Sequence, residues 1–480
     1  MSLAPAPTLA PADRPSTLEE TQPGRVAPID RSLAPAVPLL AAFGALWLVV
    51  ASLAGLAASL QLHLPGFLAG EPLLFGRLRA VEHTLLTYGW LTNAGLAFAL
   101  WAAHRLGKVE LRVGWAPVLG ALGWNLALAA GALALLAGRG TGVAWLELPR
   151  AFGPFLVASF LAIALWVASA FSRRHTGHVF ASQWYILAAI LVFPVAHLVA
   201  HAMVLRWPSP GVVQAVVAAW HAQHLAALFL GSLALASLHL VIPKSLGAPL
   251  RAYYLAPVGF WTFLAFGTWS GTASLVGSPV PAWAQSVGVV GAALLFVPVL
   301  IISLTLLPTL AAGGPSGKGS PALRFATLGA IAFLLWGAAT AALPFRSVSG
   351  LLRFTDAESA HAALGLQGFV GFSLLAGLYY LLPRMTGRAW PSAALVAAHY
   401  WASLLGLLGL VAVLAGHGWV QASAPALTPE ALGQASLGWN AAASGFRALL
   451  LAGALAFLLN LVLLLLARPA RRDIPNAPAR

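Results

Sequence analysis

Apolar residues fill this chain in long runs, each near the roughly 20 residues that carry a helix across a bilayer. Polar and charged residues gather in the short stretches between the runs. The runs cover approximately 33–60, 80–104, 114–137, 152–172, 179–205, 211–243, 252–275, 284–310, 325–345, 357–383, 391–415 and 436–467. They predict an all-α integral membrane protein of about twelve transmembrane helices, occupying residues 33–467. Residues 1–32, rich in Pro and Ala, read as a disordered tail, and 468–480 as a short basic tail. The first apolar run is long enough to span, and no short hydrophobic core with a cleavage site precedes it, so no signal peptide is expected.

Composition strengthens this picture. Hydrophobic residues make up 60% of the 480, charged residues only 8%, and mean hydropathy is +0.86. A soluble domain carries about 25% charged residues. The net charge of +14 would suit nucleic acid in a soluble protein, but here the cations sit in loops. Arg105/Lys108/Arg112, Arg173/Arg174, Lys244/Arg251, Lys318/Arg324 and Arg384/Arg388 fall on the same side as Arg468, Arg471 and Arg472. Such loops stay in the cytoplasm, which implies a multi-pass protein of the cell membrane with both termini inside. Membrane lipid, and no nucleic acid, is the expected surrounding. Cysteine is absent, which excludes disulfides, iron–sulfur clusters and thiolate chemistry. Any metal must be held by His, carboxylate or main chain.

Internal repeats of the kind that build inverted-topology transporters are not evident. Of the twelve acidic residues only Glu82 lies beside the interior of a span, too few for an ion-coupled carrier. The spans hold histidine instead. His83 is in the first turn of span two. His197 and His201 are four apart on span five and share a helical face. His221 and His224 are three apart on span six, and His361 is about a turn inside span ten. Polar groups at such depths are costly and tend to mark sites, and imidazole ligates haem iron and copper. His239 and His399 read as helix–helix hydrogen bonders. His63, His104, His175, His178 and His417 lie near interfaces or in loops and call for no special account.

Several stretches carry a family likeness: FGRLR…HT…YGW (Phe75–Trp90), SQWYILAAILVFP (Ser182–Pro194), Gly211–Lys244 ending in VIPK, PAWAQS (Pro281–Ser286), and FTD…H…GLYYLLPR (Phe354–Arg384). In this order the chain resembles catalytic subunit I of the haem–copper oxidase superfamily, and within it cbb3-type cytochrome c oxidase and nitric oxide reductase. The resemblance implies a twelve-helix subunit I bundle and a place in respiratory electron transport.

The likeness also implies a ligand set, and the chain keeps only part of it. His361 matches the ligand of the family's high-spin haem. The next ligand, two residues on, is Ala363, so His83 matches a low-spin haem ligand that has lost its partner. The three copper ligands fall on Gln223, Ala273 and Ser274, and the redox tyrosine on Gly267. Span seven contains no histidine whatever the alignment. The resemblance therefore implies one or two b-type haems on His361 and His83, Arg447 as a propionate partner, and no copper at the usual position. Complete reduction of O2 by haem, copper and tyrosine is not expected. The implied role is electron transfer or binding of O2 or NO, beside a c-type cytochrome or cupredoxin-like subunit. Two alternatives stay open. One is an active oxidase or nitric oxide reductase with a relocated metal site at His221 and His224, joined by His197 or His201. The other is a non-catalytic scaffold or assembly subunit.

Overall fold

A computed structural model describes residues 26–68, 70–313, 319–423 and 428–467. Residues 1–25 and 468–480, where most of the two predicted tails falls, lie outside the described residues. Helix α1 (Pro28–Leu33) precedes α2 (Val37–Gln61). Span two runs through α3 (Phe75–Thr84), a π-helical segment (Leu85–Leu91) and α4 (Thr92–Gly107). Next come α5 (Trp115–Leu136), α6 (Phe152–Ser172) and α7 (Ala181–Ala200), which ends in a π-helical segment (His201–Arg206). Span six joins α8 (Val212–Gln223) to α9 (Ser232–Leu246) through π-helical His224–Gly231. Span seven is α10 (Ala256–Trp269) with a 3-10 extension, Ser270–Leu275.

The second half holds α11 (Ala282–Ala312), α12 (Pro321–Ala342) and short α13 (Arg346–Leu352). Span ten joins α14 (Asp356–Ala363) to α15 (Phe372–Thr386) through π-helical Leu364–Gly371. The chain closes with α16 (Ala393–Ser423) and α17 (Pro429–Leu466). Among the described residues, ten helices are long and apolar enough to cross a membrane. The two remaining predicted spans are the second, diluted by Arg, Glu, His and Asn, and the seventh, whose α-helix is only 14 residues long.

A helix apolar all round belongs in the middle of a bundle. In spans six and ten, 94% and 83% of the most apolar stretch is buried, against about half elsewhere. They pack with span two through small residues, as membrane helices do. A Cβ at Gly377 would stand 2.8 Å from Phe98 and 2.9 Å from Ser237 Oγ, and one at Gly95 would meet Leu233 at 2.5 Å. Ser237 Oγ–H also donates to Ser373 O, 2.6 Å, binding six to ten. All three central spans carry a π-helical segment, a rare local geometry that often accompanies functional sites.

Helix α1 lies across the tail boundary predicted at residue 32, and its anchor is Asp30. Its carboxylate is fully buried, accepts from Trp101 Nε1–H at 2.9 Å and lies 3.7 Å from Arg105. Burial pushes this carboxyl up from its ordinary range, while Arg105 pulls it back.

Candidate functional site

At the start of span two, His83 is held by a loop. Its Nδ1–H donates to Glu147 Oε1 at 2.7 Å, and the same oxygen accepts Trp145 N–H at 3.0 Å. Trp145 stands edge-on to the imidazole, with ring centroids 4.5 Å apart. Its backbone is left-handed, φ +68°, unusual for a bulky residue. Tyr88 Oη–H fixes the turn by donating to Trp145 O at 2.6 Å. Glu147 therefore sets the tautomer of His83 and leaves Nε2 as the ring's lone-pair nitrogen. Nothing in the sequence marked Glu147: it is a single acid in a loop, and only the turn at Trp145 brings it to the helix.

One residue earlier, Glu82 gathers two arginines. Arg447 Nη1–H donates to Glu82 Oε1 at 2.6 Å, and Arg79 pairs with the other oxygen. Gly55 makes room for this group, since a Cβ there would collide with the Glu82 carboxylate. Arg447, expected beside a haem propionate, thus has a carboxylate of the chain as its partner.

His361 is engaged differently. Thr340 Oγ–H donates to Trp336 O at 2.8 Å, so its oxygen is free to accept His361 Nε2–H at 2.9 Å. The imidazole lies parallel to Trp336, with centroids 6.3 Å apart and planes 9° apart. Span ten is thereby tied to α12 by this histidine. Ala363, the family's second ligand position, is buried.

Spans five and six bring His197 and His221 together, with ring centroids 5.6 Å apart. His224 turns elsewhere: its ring packs on Trp220 at 4.0 Å, and Nδ1–H donates to Trp220 O at 2.8 Å. His201 Nε2–H donates to Arg150 O at 2.6 Å. The expected joining of His221 and His224 with a span-five histidine is thus only partly assembled. Among the described residues no group of three or more His, Asp or Glu side chains is arranged to hold a metal ion. A cavity of about 10 Å³ adjoins His197 and His201 and is also bordered by Tyr88, Glu147 and Gly153.

The positions that the resemblance assigned to copper lie on another side of span six. A Cβ at Gly271, in the 3-10 extension of span seven, would stand 3.2 Å from Gln223 Cβ. Ser274 Oγ–H donates to Gly271 O at 2.9 Å, and Gly267 faces Leu228 and Leu295. Gln223 Nε2 is buried and has no partner.

The remaining histidines divide. His399 Nδ1 bonds Tyr379 Oη at 2.9 Å across helices, as expected. His239 does not: its Nδ1–H donates to Leu235 O, 2.8 Å away one turn back on its own helix. A carbonyl four residues earlier lies within reach of a histidine on any helix, and here it is the partner used. His417 is more than an interface residue. It is buried, with Nδ1 2.7 Å from Asp356 Oδ2 and Nε2 2.9 Å from Ser436 Oγ, linking α14, α16 and α17.

The chain matches the family model "Cytochrome C and Quinol oxidase polypeptide I" over residues 36–461. It is 25% identical over 371 residues to the cbb3-type cytochrome c oxidase subunit CcoN1 of Stutzerimonas stutzeri, covering 75% of this chain and 76% of that relative. A cytochrome c oxidase subunit 1 homolog of Agrobacterium tumefaciens (strain T37) is 27% identical over 383 residues, 77% of this chain and 70% of the relative. The fold matches a chain of a heme-copper terminal oxidase dimer solved by cryo-EM with TM-score 0.75. The two are 15% identical, and the match covers 91% of this chain and 84% of the other. On the family match, the bundle around spans two, six and ten is a multi-span membrane protein that belongs to the cytochrome c and quinol oxidase polypeptide I family.

Proposed function

We propose that this chain is a haem b-binding subunit that transfers electrons or binds a diatomic gas, O2 or NO, within a respiratory complex, without copper at the family's usual position. The observation that carries the reading is the pairing of His83 with Glu147. Histidines that ligate metals almost always donate their second ring N–H to a carboxylate, carbonyl or water, which orients the ring and raises its basicity. His83 has that partner at 2.7 Å and keeps Nε2 as the coordinating nitrogen.

The ring of His83 is held as a ligand's would be, with Nδ1 on Glu147 and Nε2 without a hydrogen-bond partner. His361 fits only if its ring leaves Thr340, because its Nε2 carries the proton shared with that hydroxyl. A bound haem b would supply one-electron redox chemistry and a site for gas ligation. The protein's share is to hold the ring of His83 through Glu147 and to neutralise the buried Glu82 with Arg447 and Arg79. Arg447 remains a propionate partner in this reading only by sharing itself with Glu82. Absence of the usual copper is supported by the residues at its positions. Alanine offers no ligand, and Ser or Gln oxygen is a poor one for Cu(I). Both termini lie in the cytoplasm by the charge pattern of the loops, and a c-type cytochrome or cupredoxin-like subunit is the proposed electron partner.

The test is a reduced-minus-oxidised optical spectrum of the purified protein, with haem measured per chain and CO added. Sharp haem b bands support the reading, and a CO shift shows an open position. A well-folded, colourless protein from haem-replete cells refutes it and leaves the scaffold role.

A further inference from the structure

We propose that His197 and His221 form a site for a borderline transition-metal dication, zinc or copper(II), between spans five and six and apart from the family's copper position. Both rings are buried, at 4% and 1% exposure, and none of their four nitrogens has a hydrogen-bond partner. A neutral imidazole carries one donor and one acceptor, and buried polar atoms are ordinarily paired. The neighbours obey that rule, His201 through Arg150 O and His224 through Trp220 O. Among the described residues, this buried pair leaves both rings bare, 5.6 Å apart between centroids.

The spacing suits a shared ion. With N–metal bonds of about 2.0–2.1 Å in tetrahedral geometry, two imidazoles on one zinc place their centroids roughly 5 Å apart. Imidazole favours zinc and copper over calcium or magnesium, and the chain has no cysteine to compete. The site is not the family's copper centre. Residues 221 and 223 point about 200° apart on a helix. Gln223 abuts Gly271 of span seven, whereas His221 meets His197 of span five.

The experiment uses the full chain, purified in detergent through a tag without histidine, stripped with EDTA and exposed to Cu2+ or Zn2+ chloride. Metal retained after gel filtration is counted, and the Cu2+ form is read by EPR. The expected result is about one ion per chain with nitrogen hyperfine structure. His197→Asn and His221→Asn should each weaken retention at least about tenfold, while His224→Asn and exposed His178→Asn leave it unchanged. Melting temperature checks that the variants fold; if one fails, the nitrogen signal of the parent and the other variant decide. No stoichiometric ion, or equal retention in the His197 and His221 variants, overturns the site. The readout does not depend on haem, so its failure is separable from failure of the haem reading.

Discussion

Two histidines match the family's haem ligands in sequence, and they stand in different chemical settings. His83 gives its Nδ1 proton to Glu147 and keeps Nε2 bare of protein partners, with an edge-on tryptophan beside it. His361 gives its Nε2 proton to Thr340 and lies flat along Trp336. The first setting is the one a metal-ligating histidine ordinarily has, and the second joins two helices. A retained histidine is therefore not by itself a retained site. What its other nitrogen touches decides which reading the residue supports.

Four substitutions press on that contrast. The largest effect is expected from His83→Ala, which should remove the haem that this ring is proposed to hold, measured as haem per chain; undiminished haem would break the comparison. Glu82→Ala leaves the partly buried Arg447 without its carboxylate, and breaking a buried pair costs up to about 3–5 kcal/mol. The midpoint of thermal unfolding in detergent should fall accordingly, and an unchanged midpoint would show that the pair is dispensable. Glu147→Ala keeps His83 but frees its ring, so haem affinity should drop about 10–100-fold, the usual effect of losing a ligand's supporting partner. Haem titration of the apoprotein reads this directly. Thr340→Val removes only a hydrogen bond between membrane helices, about 0.6 kcal/mol. Haem content should stay the same, and a loss would mean that His361 needs Thr340 to serve as a ligand.

The fold was legible because a bilayer permits few answers. Each apolar run had to become a helix, and nearly every predicted span lies within a few residues of a helix. The exceptions have local causes. Span seven is short in α-helix and finishes in a 3-10 segment. Helix α1 reaches into the predicted N-terminal tail, where buried Asp30 binds Trp101 and Arg105, contacts far along the chain. The site was less legible for the same reason. Glu147 lies 64 residues from His83 and Thr340 lies 21 from His361. Neither partner belongs to a motif, and each reaches its histidine only through a loop conformation or a helix crossing. His417 shows the cost of judging by position alone: its links to Asp356 and Ser436 join three helices. The span-five and span-six histidines were read as one group. Packing instead sorted them, leaving His197 facing His221 and giving His201 and His224 to backbone carbonyls.

The most direct test of the contrast is haem per chain and the reduced-minus-oxidised spectrum, measured side by side in the parent, His83→Ala and His361→Ala. The account predicts that His83→Ala loses haem b bands present in the parent, and that it loses more haem than His361→Ala. Full haem in His83→Ala with loss only in His361→Ala would contradict it, and would place the ligand on the ring that Thr340 now holds.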